Sequence, residues 1–121
     1  MVTLYKRKLR RRSPNDTYNL FRDAILRERQ VTCTYRKHYR EVCPHIIGHR
    51  KGQEVVLAFQ FAGQSERGLP RDGQWRCLYL SEVSDARLRD GRWYTGSSHV
   101  SAQSCVETVD LDVNIHVRRL R

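Results

Sequence analysis

A chain of 121 residues with a formal net charge of +10 is long enough for one domain with its own hydrophobic core. Its 39% hydrophobic and 30% charged residues include no apolar run near the ~20 residues that cross a bilayer, so no membrane partner is expected. The charge is lopsided, +9 over residues 1–60 and +1 over 61–121, as in a protein whose basic face or arm meets an anionic partner, most often nucleic acid.

Lys6-Arg7-Lys8 and Arg10-Arg11-Arg12 place six cations within seven positions. Their repulsion opposes compaction, so residues 1–12 are expected as a flexible arm that orders on a phosphate backbone and makes affinity steeply salt-dependent. The basic start has no apolar segment behind it, so it is not a secretory signal, and a cytoplasmic location is expected. Ser13, Pro14 and Asp16 read as a helix start. Leu20, Phe21, Ala24 and Ile25 follow at helical spacing, predicting a helix from Pro14 to Arg29 docked on a sheet by those four residues. No second helix follows within a turn, so a helix-turn-helix is not supported.

From Val31 the period changes to two. Val31, Cys33 and Tyr35 alternate with Thr32, Thr34 and Arg36 as a strand, Lys37-His38-Tyr39 is expected as a turn, and Arg40 to His49 returns. Pro44 cannot donate to a ladder, so that strand lies at an edge or carries a bulge there. After a turn at Arg50-Lys51-Gly52, Glu54 to Ala62 places Val55, Leu57, Phe59 and Phe61 on one face. Gln60 is a polar intruder on the other, among Val56 and Ala58. Gly63 to Gln74 is a loop, and Trp75 to Leu80 is a short aromatic and apolar strand. A weaker strand follows over Ser81 to Leu88, then an Asp-Gly turn at Arg89–Arg92 and a short strand beginning at Trp93-Tyr94. Finally Val109, Leu111, Val113, Ile115 and Val117 alternate with polar residues as a one-sided strand that covers this sheet or a partner's, the latter making a homo-oligomer. The expected fold is mainly β: a small antiparallel barrel with an N-terminal helix and a C-terminal strand extension.

The landmarks resemble those of the WYL domain family. Ala24-Ile25 through Val31-Thr32-Cys33-Thr34-Tyr35-Arg36 is similar to that domain's opening. Val42-Cys43-Pro44-His45 resembles its V-x-P strand, and Gly52 with Glu54 to Phe59 its G-x-W-Y-L hairpin strand. Trp75-Arg76-Cys77-Leu78-Tyr79-Leu80 resembles its R-x-F-x-L strand, with Val83 at the following hydrophobic position. The likeness covers Leu20 to Leu88. It implies an Sm-like, SH3-type five-strand barrel, in a domain usually attached to bacterial transcription regulators that binds nucleic acid or another anionic ligand. The ligand-facing positions carry over onto Tyr35, Arg36 and Arg76. The name-giving Trp-Tyr-Leu is replaced here by Val56-Leu57-Ala58 or its neighbours. The chain thus divides into a basic arm (1–12), a WYL-like helix and barrel (13–88) and an extension (89–121) to which the resemblance assigns nothing.

Arg76 carries the functional argument. A guanidinium between large apolar neighbours must find a partner, reach solvent or line an anion pocket. Arg76, Arg36, Tyr35, Gln60 and His45 are expected to converge on one concave end, with Lys6, Arg7, Lys8, Arg10, Arg11 and Arg12 adding phosphate contacts. Arginine offers a planar fork to phosphate, and tyrosine and histidine stack on bases. Tyr35 and Gln60 as plain strand residues and Arg36 as a solvated one is the simpler alternative. The expected function is a non-catalytic, single-stranded nucleic-acid-binding regulatory module, with a sensor of a small phosphorylated or nucleotide ligand as the alternative. No cofactor is called for. Cys43, His45 and His49 share a strand face, with His99 or Cys105 as further ligands, but spread over ~20 Å along an extended strand, too far for one zinc ion. Asp110 with Asp112, and Ser98, His99 and Ser101, form no recognisable catalytic set, so an enzyme is not expected. Cys33, Cys43, Cys77 and Cys105 are expected as reduced, packed thiols.

Overall fold

A computed structural model describes residues 14–97 and 103–114. Residues 1–12, with the six cations of the arm, lie outside the described part, as do Ser13, Ser98, His99, Ser101 and the stretch from Ile115 onward. Helix α1 spans Pro14–Arg27 and buries Leu20, Phe21, Ala24 and Ile25, the face expected from its spacing. It ends two residues before the expected Arg29. Glu28 adopts the left-handed conformation (φ 51°), while the Arg29 and Glu28 amides donate to the Ala24 and Ile25 carbonyls at 2.9 and 3.3 Å. This is a Schellman cap, with glutamate in the position that glycine usually takes.

Among the described residues six strands follow: β1 (Gln30–Tyr35), β2 (His38–Arg50), β3 (Gln53–Gly63), β4 (Gln74–Tyr79), β5 (Val83–Arg89) and β6 (Thr108–Asp112). A 3₁₀ turn, Leu80–Glu82, joins β4 to β5. All pairings are antiparallel, in the order β4-β3-β2-β1-β5, with β6 on β2. The fold is therefore mainly β, as expected, but the sheet is not closed, β4 and β5 forming the ends of its path.

The first hairpin is tighter than expected. Tyr35 pairs with His38, leaving Arg36 and Lys37 as a two-residue turn with both φ values positive, 49° and 73°. Such turns match strand twist and usually contain Gly or Asn; here neither marks it, and the turn falls ahead of the expected Lys37–Tyr39, with His38 and Tyr39 already in β2. Lys51-Gly52 makes the same kind of turn at the expected place.

Strand β2 organises the sheet. Along one edge it pairs with β3, while β1 takes residues 38–42 and β6 residues 46–49. Pro44 falls between those two partners, where its missing N–H leaves no bond unmade, and a bulge in the β3 pairing follows it. Gly48 admits β6: a Cβ there would stand 1.9 Å from the Thr108 carbonyl oxygen. Strand β6 ends at Asp112, short of the expected Val117, and its register skips Asp110. The bulge turns that carboxylate to Tyr18 and His49 and leaves Val109 exposed. No strand forms at Trp93-Tyr94; after β5 the chain crosses the sheet, stacking Tyr94 on Phe61 at 4.4 Å and setting the Trp93 ring, tilted, 4.8 Å from that of His45.

Alternation sends the two strand faces to two cores. Val31, Cys33, Tyr35, Val42, Val56, Ala58 and Leu78 pack with α1, while Ile46, Val55 and Leu57 pack with Cys105 and Val106. A disulfide, with Cα atoms 5.7 Å apart, ties Cys105 of the second core to the exposed Cys77 of β4. This corrects the reading of four reduced thiols. The pair meets because residues 103–107 cross the outer face of β4, which Cys77 occupies. Cys33 and Cys43 are buried free thiols, pushed by burial up to about 12 and about 11.

Candidate anion and nucleic-acid site

The inward face of β4 carries Arg76, Leu78 and then Leu80; that of β3 carries Val56, Ala58 and Gln60. Because Ala58 pairs with Arg76 and Val42 with Gln60, the polar residues of three neighbouring strands fall side by side. Arg76 Nε donates to Gln60 Oε1 at 3.0 Å, and Arg40 Nη1 donates to the same oxygen at 3.1 Å. The Gln60 amide nitrogen donates in turn to the Ala62 and Gln64 carbonyls at 3.1 and 2.9 Å. That fixes which end of the amide faces the arginines. Gln60 is 0% exposed and Arg40 6%; Arg76 is half-buried.

Two positive charges thus share one neutral acceptor. The remaining contacts are neutral too: Arg40 Nη2 with the Tyr35 carbonyl at 3.4 Å, Arg76 Nη2 with the Gly68 carbonyl at 3.5 Å, and the Tyr35 ring 5.2 Å from the Arg40 guanidinium. All thirteen acidic side chains lie among the described residues, and none forms an ion pair with Arg40 or Arg76. Arg40 Nε is buried without a partner among those residues. Burial pushes both guanidiniums below their ordinary value, and for Arg76 the Arg40 charge adds to it. Both stay charged at neutral pH. No protein-family model, curated protein or solved structure matches the chain.

Of the residues singled out in the sequence, Arg76, Gln60 and Tyr35 come together. The Tyr35 hydroxyl accepts the Tyr79 N–H at 3.1 Å, so tyrosine contributes a fixed ring rather than a free stacking surface. Arg36 lies next to it, 5.0 Å from the same ring. Its guanidinium, however, forms a two-pronged ion pair with Glu82 at 2.8 Å on the surface, which raises the arginine and lowers the glutamate. His45 stands apart from the cluster, against Trp75 and Trp93, with Nδ1 2.8 Å from the Cys43 carbonyl. It follows Pro44 in the bulge of β2, so simple alternation does not place it.

Arg40 is the residue that sequence reading passed over. It sits two positions before Val42, and that period puts it on the core face; the signal was present and was masked by its place at a strand's start. The loop over residues 64–73 rims the cluster, with exposed Arg67 and Arg71 balanced by exposed Glu66 and Asp72. Among the described residues no three His, Cys, Asp or Glu side chains group as metal ligands do, and no helix is long and apolar enough to cross a membrane.

Proposed function

We propose that this protein is a non-catalytic, WYL-like regulatory module that binds single-stranded nucleic acid. The Arg40–Gln60–Arg76 cluster engages phosphate, and the basic segment 1–12 adds phosphate contacts. One observation carries the reading: two guanidiniums, one of them almost fully buried, converge on a single amide oxygen with no carboxylate beside them. A buried cation without a counter-charge is costly, and an incoming phosphate supplies that charge along with oxygen acceptors in the geometry of the guanidinium fork. The Sm-like or SH3-type barrel and the WYL kinship belong to this proposal; the run of five strands, with a 3₁₀ turn between β4 and β5 and β5 returning to β1, supports them. A cytoplasmic location goes with such a partner, and there the Cys77–Cys105 bond is subject to reduction by the thiol pool.

The second reading is a sensor of a small phosphorylated or nucleotide ligand, favoured by how compact the arginine pair is and by the burial of Arg40. Fluorescence anisotropy with single- and double-stranded oligonucleotides over a salt series tests both. Nucleic-acid binding predicts a steep salt slope that flattens when residues 1–12 are deleted and weaker binding by Arg76→Ala. A sensor predicts thermal stabilisation by a nucleotide even at high salt, insensitive to that deletion. Oligonucleotide affinity identical in wild type and Arg76→Ala overturns the assignment of the site.

A further inference from the structure

We infer that the Arg40–Gln60–Arg76 cluster takes a terminal phosphate, a monoester carrying two negative charges, in preference to the internal diesters of a strand. The inference rests on the anion-site reading above and narrows its ligand. Both guanidiniums lie within 3.1 Å of the same oxygen atom, so whatever replaces or joins that oxygen meets two positive charges at one point. An internal phosphodiester brings one negative charge and two free oxygens. A phosphate monoester brings about −1.5 to −2 at neutral pH and three strongly accepting oxygens, enough to serve both forks.

Access points the same way. Arg40 is 6% exposed, and its buried Nε has no partner among the described residues. Gln60 is closed off entirely, and the carbonyls of Tyr35, Ala62, Gln64 and Gly68 are drawn in around the three side chains. A diester in mid-strand has a sugar on each side that must pass this rim. A terminal phosphate projects from its strand and enters end-on. Discrimination by one additional charge-assisted hydrogen-bonded pair amounts to roughly tenfold or more in affinity.

The chemistry has two sources, the phosphorylated end of a strand and a free mononucleotide, and the test separates them. A short single-stranded oligonucleotide labelled at its 3′ end is prepared with and without a 5′-phosphate. Its counterpart, labelled at the 5′ end, is prepared with and without a 3′-phosphate. Each is titrated with wild type, Arg40→Gln and Arg76→Ala, and thymidine monophosphate serves as competitor and as a thermal-shift ligand. Arg76 stands at the rim, so its variant keeps the test open should the buried Arg40 variant fail to fold. The expected result is a roughly tenfold or greater gain from one terminal phosphate, lost in Arg76→Ala. Competition by thymidine monophosphate at concentrations comparable to the strand's makes the free nucleotide a sufficient ligand. Equal binding with and without either terminal phosphate, weakened equally by Arg76→Ala, overturns the inference and leaves the nucleic-acid reading standing. Binding of thymidine monophosphate with no affinity for any oligonucleotide does the reverse. Silence from every probe overturns both.

Discussion

Replacing Arg76 by leucine separates a binding residue from a structural one, because the proposed phosphate site requires a loss of affinity while the contacts of Arg76 leave stability nearly unchanged. The substitution removes the 3.0 Å bond to Gln60 Oε1 and the long 3.5 Å contact with the Gly68 carbonyl. The first has a charged donor and, at a half-buried site, is worth about 1.5 kcal/mol net, the second less. Gln60 Oε1 keeps its bond from Arg40 at 3.1 Å, so no buried acceptor is orphaned. On the other side of the ledger, two guanidiniums sharing an acceptor lie about 5 Å apart and repel by about 3 kcal/mol at an effective dielectric of about 20. Solvent at the half-buried Arg76 screens roughly half of that. The two contributions nearly cancel, and the variant is expected to match wild-type stability to within about 1 kcal/mol, a shift in Tm of no more than about 4 °C. Oligonucleotide affinity in the same samples is expected to fall roughly tenfold to a hundredfold. Urea unfolding and anisotropy give both numbers. A stability loss above about 2 kcal/mol with affinity unchanged refutes the reasoning, since Arg76 would then be part of the scaffold alone.

Three further perturbations address the scaffold. Opening the Cys77–Cys105 bond, by reduction or by Cys105→Ser, frees a loop closed over a separation of 28 residues and is expected to cost about 3–4 kcal/mol, seen as a lower urea midpoint under reducing conditions; an unchanged midpoint sinks that estimate. Gly48→Ala drives a methyl into the Thr108 carbonyl and is expected to cost about 2–3 kcal/mol. Amide exchange should show protection lost along β6 and its β2 partners while β1 and β3 keep theirs, and uniform loss over the sheet would contradict a local role. Glu41 is held below its ordinary value of 4.5 chiefly by the Arg89 hydrogen bond, against some burial. A depressed carboxylate stabilises above its unfolded value, and that contribution is lost as the pH falls through the lower folded value. Arg89→Gln should therefore lower stability at neutral pH, with the gap to wild type narrowing below about pH 4.5; a gap that is constant with pH excludes the linkage.

Much of the local structure was legible. Leu20, Phe21, Ala24 and Ile25 mark the buried face of α1 because helical periodicity needs no knowledge of the partner surface. Gln60 stands out on β3 because an amide among Val56 and Ala58 breaks a two-residue period. Pro44 marks an interruption because it lacks a donor wherever it lies. The misses have a common cause. The Arg36-Lys37 turn carries no glycine, its positive φ values being imposed by the pairing of β1 with β2. The skipped Asp110 follows from the way β6 settles against Gly48. The Cys77–Cys105 bond depends on a crossing segment whose path no periodicity records.

Alternation along each strand is a property of neighbouring residues, and it alone determined that Arg76 shares a face with Leu78 and Leu80, Gln60 with Val56 and Ala58, and Tyr35 with Val31 and Cys33. Which inward side chains touch depends on strand order and register, chosen by the whole chain as it buries apolar surface and pairs its backbone. Only that choice set Arg40 beside Gln60, turned the amide oxygen to two arginines, drew Glu82 to Arg36 instead, and left a pair of positive charges without an acid of their own.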